Sequence, residues 1–167
     1  MSVRGKVARK RLLICLVAVL MFFVADQAYQ WFSRHYTIGA TFPGLHTEGY
    51  CLPWRMYLVR KDPQHRFVRG ELIAFNGDER MPKSFQRHPV AKMVLGVPGD
   101  RIEIRDDWVW VNGAPYDRMW LASDVHRDFV VKEGHYFVVG THRNAVDSRY
   151  FGVISADAVI GPARPLF

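Results

Sequence analysis

The chain has 167 residues, 49% of them hydrophobic, 14% aromatic and 23% charged; that is enough for one compact domain with a real core and too apolar for intrinsic disorder. Nine Pro and 13 Gly are spread along it, which excludes collagen-like and low-complexity classes, and no internal repeat is visible. The net charge of +7 is a tail, because Arg4, Lys6, Arg9, Lys10 and Arg11 fall in the first eleven residues, and setting those five aside leaves +2 for the other 156; nucleic acid is not an expected partner.

Leu12 to Ala25 follows, fourteen uncharged and almost wholly apolar residues ending at Asp26. As a helix the run rises about 21 Å, short of the roughly 30 Å hydrocarbon core. It suits a cleaved secretory signal, a buried soluble helix, or an uncleaved anchor lengthened by Gln27 to Phe32, with Tyr29, Trp31 and Phe32 as an interfacial aromatic belt. Five cations directly before a buried helix are unusual. Signal cleavage wants small residues at both the −3 and −1 positions, but ending at Ala25 puts Phe23 at −3 and ending at Ala28 puts Asp26 there. The anchor is favoured. Residues 1–11 are then a cytoplasmic basic tail, 12–32 a transmembrane anchor, and 33–167 a domain outside. In a bacterium the chain is expected to be single-pass in the inner membrane, lipid its surroundings, with the domain periplasmic.

Cys15 lies inside the apolar run and cannot reach Cys51, so Cys51 is a lone thiol in a compartment expected to be oxidising. Taken alone, a lone Cys is more often a buried, inert hydrophobe than a nucleophile.

From residue 40 short strands alternate with turn residues. Glu71 to Phe75 is a brief strand, and Val90 to Val97 a longer apolar run holding one charge, Lys92. Val97-Pro98-Gly99-Asp100 has Pro and Gly at the central positions of a type II turn. Arg101 to Arg105 alternates with period two, Trp108 to Val111 is its expected hairpin partner, and Asn112-Gly113 signals a further tight turn. Tyr136 to Val139 and Val153 to Ile160 supply later strands. No segment after Phe32 carries a sustained helical stripe. The expectation is a β-rich, mainly antiparallel domain on one N-terminal transmembrane helix.

Lys92 is the odd residue of its strand. It either points to solvent or points inward, and periodicity does not choose. Inward, desolvation disfavours the ammonium, and an uncharged lysine amine can serve as general base to a hydroxyl or thiol without a histidine. Asp147-Ser148-Arg149-Tyr150-Phe151-Gly152 reads as a structural ion pair that braces the lysine strand. Ser148 is a rival nucleophile, but nothing beside it supplies a base. His126, His135 and His142 fit no recognisable metal spacing, so neither metal nor cofactor is expected.

These segments, in this order, resemble the boxes of the type I signal peptidases, membrane-anchored Ser-Lys proteases. The nucleophile segment is matched by Gly49-Tyr50-Cys51-Leu52-Pro53, the short strand box by Gly70 to Phe75, and the lysine box by Lys92 to Asp100. The last box is matched by Asp147 to Gly152. Cys51 to Tyr57 (CLPWRMY) is similar to the signature of the conjugative-transfer branch, small enzymes that act on pilins. The resemblance implies Cys51 and Lys92 as a catalytic dyad, with Gly49, Tyr50, Leu52 and Pro53 around the oxyanion and substrate groove. It implies Asp147, Ser148 and Arg149 as structural support, and a pilin or leader-bearing precursor as protein substrate. Three departures stand out: Cys51 replaces the usual Ser, Gly49 replaces a Ser found in some members, and Gly140-Thr141-His142 with Ala145 alters the approach to the last box. A thiol is far more acidic than an alcohol, so an amine base can activate it. A thiol ester also acylates amines as well as water, so cyclisation of the pilin is conceivable alongside cleavage. The alternatives are ordinary signal-peptide hydrolysis and a non-catalytic anchored assembly homologue.

Overall fold

A computed structural model describes residues 3–40, 51–119, 126–142 and 145–166. The chain divides into two units, Met1–Tyr36 and Thr37–Phe167. The first is one helix, α1 (Val3–His35). Its stretch Arg9–His35, 27 residues, is long and apolar enough to cross a membrane. Leu12, Val19, Met21, Phe22 and Phe23 are all at least 60% exposed. A soluble helix would bury such a surface, whereas hydrocarbon accepts it because a helix satisfies its own backbone groups. The helix continues through Gln27 to Phe32 without a break. Near its end Phe32 stacks on Tyr36, with 5.5 Å between ring centroids.

Strands dominate the rest: β1 (Tyr36–Ala40), β2 (Met56–Arg60), β3 (Leu72–Phe75), β4 (Val90–Gly96), β5 (Arg101–Arg105) and β6 (Trp108–Val111). They continue with β7 (Ala114–Arg118), β8 (Arg127–Val130), β9 (His135–Val139), β10 (Ile154–Ser155) and β11 (Val159–Pro165). A seven-stranded sheet runs β1-β2-β11-β3-β4-β9-β10, and a four-stranded sheet runs β7-β6-β5-β8. Every pair with a described register is antiparallel. This is the β-rich, antiparallel architecture expected from the short, β-branched and aromatic runs.

Local turn chemistry builds the smaller sheet. Strands β5 and β6 pair from Arg105↔Trp108 to Ile102↔Val111 through Asp106 and Asp107, both at positive φ. Asn112 (φ 51) and Gly113 (φ 79) then turn β6 into β7, as a type I′ hairpin requires. Two short helices had no helical stripe to announce them: α2 (Lys83–Arg87) and α3 (Ser148–Phe151). At five and four residues they are too brief for a 3.6-residue period to register.

Strand β9 is buried on both faces. Tyr136 and Val138 join an apolar cluster with Ile73, Phe75, Phe85, Val94 and Phe151, while Phe137 and Val139 join Ile102, Ile104, Val109 and Val111 of the smaller sheet. A third cluster, Leu52, Tyr57, Val59, Ala74 and Ala163, lies across β2, β11 and β3.

Asp100, at the end of the Val97-Pro98-Gly99-Asp100 turn, ties these parts together. Its carboxylate accepts from Val97 N (2.9 Å), Arg69 Nε (2.8 Å) and Asn112 Nδ2 (3.0 Å), so one side chain clamps two turns. Burial alone would raise the Asp100 carboxyl, but Arg69, the Val97 N–H and Asn112 together hold it below its ordinary 3.8. A folded value below the unfolded one means that the stabilisation is present above the unfolded value and is lost as pH falls through the folded one. Asp100→Ala is expected to cost about 2 kcal/mol near neutral pH. In urea titrations the gap between the two proteins should close as the pH falls through the folded value, which lies below 3.8.

Candidate active site

Period two along β4 sets Val90, Lys92 and Val94 on one face and Ala91, Met93 and Leu95 on the other. The face that carries Lys92 is the one packed on Phe85 and the apolar cluster. Lys92 is 0% exposed, which answers the question periodicity left open: the side chain points inward. Its Nζ lies 5.3 Å from the Phe85 ring centroid and has no hydrogen-bond partner among the described residues. Burial strips this amine of water, and among the described residues no hydrogen bond compensates for the loss.

Cys51 is half-buried. Its carbonyl oxygen accepts from Thr141 N (2.8 Å) and His142 N (3.4 Å), in the segment directly after β9. Leu52 is buried in the third apolar cluster, Pro53 is exposed, and Gly49 and Tyr50 lie outside the described residues. Burial, and after it the charge of Cys51, push the Tyr57 phenol up to about 12, against the pull of its 2.8 Å hydrogen bond to the Trp54 carbonyl. Tyr57 therefore stays neutral beside the sulfur.

Gly140 shows how near the two candidate residues come. A Cβ placed on it would sit 2.7 Å from the Cys51 carbonyl oxygen, 3.4 Å from Lys92 Nζ and 2.5 Å from the Ala145 Cβ. The Cys51 backbone and the lysine amine thus flank one small space that tolerates no side chain at 140. Ala145 closes its far side and offers no hydroxyl to the amine. Nor does a hydrogen bond join Nζ to Cys51; such contacts commonly tighten only when substrate binds.

The Asp147-Ser148-Arg149 segment holds this space in shape. All three residues are 0% exposed. Asp147 caps α3 by accepting from Arg149 N, 3.1 Å, and pairs side by side with the guanidinium through Nε and Nη2, both at 2.8 Å. Its Oδ2 also accepts from Gly140 N at 2.8 Å. Ser148 Oγ accepts from Val138 N at 2.9 Å. Burial works to lower the Arg149 guanidinium, but the hydrogen bonds and charge of Asp147, with Tyr150 and Asp117 behind them, leave it raised above its ordinary value. The segment grips β9, which pairs with the lysine strand at Met93↔Val139 and Val94↔Val138, and the residues after β9 hold Cys51. Ser148 is engaged in a backbone contact.

Cys51 also lines a cavity of about 500 Å³, with Ala40, Leu52, Ala74, Phe85 and Ala91 among its walls. An extended peptide with small side chains suits such a space. Phe85, Gly140 and the Thr141 and His142 amides were not identifiable from sequence, because what matters in them is a position in space. Among the described residues no three His, Cys, Asp or Glu side chains converge as metal ligands do.

The family described as "Signal peptidase, peptidase S26" matches residues 8–167. Signal peptidase I S of Bacillus subtilis (strain 168) is 31% identical, over 60% of this chain and 59% of that protein. Signal peptidase I of Bacillus caldolyticus is 27% identical, over 89% of this chain and 82% of that one. The solved structure of a signal peptidase I from Enterococcus faecalis V583 is 28% identical, covering 59% of this chain and 97% of that chain, with a TM-score of 0.40. The chain spans about half to three-fifths of the length of several of its curated relatives. The match takes in the apolar helix, Cys51, the Lys92 strand and the Asp147–Arg149 brace alike, and the chain belongs to the peptidase S26 signal peptidase family.

Proposed function

We propose that this chain is a membrane-anchored peptidase that removes leader peptides from precursor proteins by hydrolysis, with Cys51 as nucleophile and Lys92 as general base. The observation that carries the reading is the fully buried, unpartnered Lys92 amine across one small space from the backbone of Cys51, which itself lines the cavity. The family match supports the reaction class.

In this reading the Lys92 amine takes the proton from the Cys51 thiol, and the thiolate attacks the scissile carbonyl carbon. The oxyanion receives the Cys51 N–H, a contact of about 3 kcal/mol by comparison with other oxyanion holes. Collapse breaks the C–N bond, forms the thiol ester and passes the Lys92 proton to the leaving amine. Water then attacks the thiol ester, giving its proton to Lys92, and the thiol and the acid product are restored. Around this pair, Gly49, Tyr50, Leu52 and Pro53 form the oxyanion and groove segment, and Asp147, Ser148 and Arg149 fix the backbone on which both reacting groups depend. The N-terminal helix anchors the enzyme with its basic tail cytoplasmic and the catalytic unit on the periplasmic side, where leader-bearing precursors emerge.

A second reading shares every step to the thiol ester. The Cys51-Leu52-Pro53-Trp54-Arg55-Met56-Tyr57 segment favours the conjugative-transfer branch with a pilin substrate, and a thiol ester passes its acyl group readily to an amine. If the pilin's own N-terminus replaces water, the product is a ring.

Cys51→Ala should abolish cleavage, at least a thousand-fold in kcat/KM, in a precursor-processing assay with the full chain in detergent or vesicles. Unchanged processing would remove the mechanism. Lys92→Met should be equally inactive and yet more stable than the parent by about 1–3 kcal/mol, since it replaces an orphaned buried amine with an apolar side chain of similar length; thermal unfolding checks this. Intact mass of the mature product distinguishes the two readings, because a ring is one water lighter than the linear chain.

A further inference from the structure

Arg149 has more donors than Asp147 can take. Asp147 receives Nε and Nη2, which leaves Nη1 on a side chain that is 0% exposed. That nitrogen is met from outside the family boxes. Asp117, on β7 of the smaller sheet, brings Oδ2 to 3.1 Å from it, and the Arg118 carbonyl lies at 3.5 Å. Asp117 is itself held by its Oδ1, which accepts from Arg118 N at 2.7 Å. The carboxylate is therefore aimed before it meets the guanidinium. One positive charge is shared between a fully buried aspartate and one whose side chain is 36% exposed.

We propose that Asp117 is a positioning residue for the Cys51–Lys92 reaction, through which the smaller sheet sets the geometry of the site. This rests on the reading that Cys51 and Lys92 do the chemistry. The path is continuous: Asp117 to Arg149 Nη1 at 3.1 Å, Arg149 to Asp147 at 2.8 Å, and Asp147 Oδ2 to Gly140 N at 2.8 Å. From the adjoining residue, Thr141 N reaches the Cys51 carbonyl at 2.8 Å. Without Asp117, the buried guanidinium keeps a donor whose desolvation is uncompensated. The guanidinium then turns toward the vacated space and the Arg118 carbonyl, and Asp147 follows because it is bound at two points. Gly140 then loses its anchor, and the Cys51 backbone shifts relative to the lysine amine. Substrate side chains would still meet the same cavity walls, so the loss falls on kcat and not on KM.

The test compares Asp117→Ala, Asp117→Asn and Asp117→Glu, each in a Cys15→Ser background, with Asp128→Ala as control. Asp128 pairs with Arg101 on the same sheet, both side chains exposed. Precursor processing should show kcat down about ten-fold for Asp117→Ala, less for Asp117→Asn, near-parental values for Asp117→Glu and Asp128→Ala, and KM within two-fold throughout. A second readout needs no substrate: the rate of Cys51 alkylation by iodoacetamide should fall several-fold in Asp117→Ala and recover in Asp117→Glu. If Asp117→Ala folds poorly, the Asn and Glu variants still supply the comparison. Parental kcat and alkylation rates in Asp117→Ala and Asp117→Asn would overturn the inference, as would a loss that Glu does not repair. Full processing by Cys51→Ala would instead overturn the dyad, while the alkylation rates would still say whether Asp117 shapes the surroundings of Cys51.

Discussion

The Asp147 carboxylate carries more of this structure than its size suggests. Fully buried, it is stable there only because a guanidinium lies alongside it and two backbone N–H groups point at it. A buried pair of this kind gains little net stability over an apolar substitute, but removing one partner alone is severe, because the other is left charged and unmet. What the pair secures is geometry. It fixes Gly140 at the end of β9, and from there both the Cys51 carbonyl and the lysine strand are held. The ions define where the Cys51 backbone and the lysine strand stand relative to each other.

Lys92 illustrates the opposite bargain. The strand that bears it forms its ladder with β3 and β9, and apolar side chains fill its surroundings. The amine lies over an aromatic ring and finds no hydrogen-bond partner among the described residues. A sequence optimised for stability alone would place an apolar residue there. An orphaned amine in a dry site is a local cost to stability. The surrounding packing, with Ile73 and Val94 almost wholly buried, is what makes the cost sustainable.

Much of the fold could be read from the chain because its signals are local. The β5–β6–β7 meander follows from alternation at Arg101 to Arg105 and from the Asn112-Gly113 turn, and the apolar run after Arg11 indicates a helix that no polar solvent would welcome. Lys92 was ambiguous for a physical reason. Strand β4 is buried on both faces over much of its length, so the alternation that normally separates inside from outside is missing. The short helices α2 and α3 escaped because so few residues show no period, yet α2 supplies Phe85 beneath the lysine. The contacts of Asp117 and Gly140 cross from one sheet to the other or across a loop, and no spacing along the chain encodes them. Cys51 stood out through its neighbours, since a solitary cysteine has no pattern of its own.

Strand order carries a consequence for how the molecule assembles. β11 lies between β2 and β3, so in the sheet order β1 and β2 are joined to β3-β4-β9 through the latest-emerging strand of that sheet. Ala163 of β11 also belongs to the apolar cluster beneath Leu52 and Tyr57. During vectorial synthesis the helix appears early, while the groove beside the thiol remains open until β11 docks. Such long-range pairing slows folding, and it postpones completion of the cluster beneath Leu52 and Tyr57 until β11 has been synthesised.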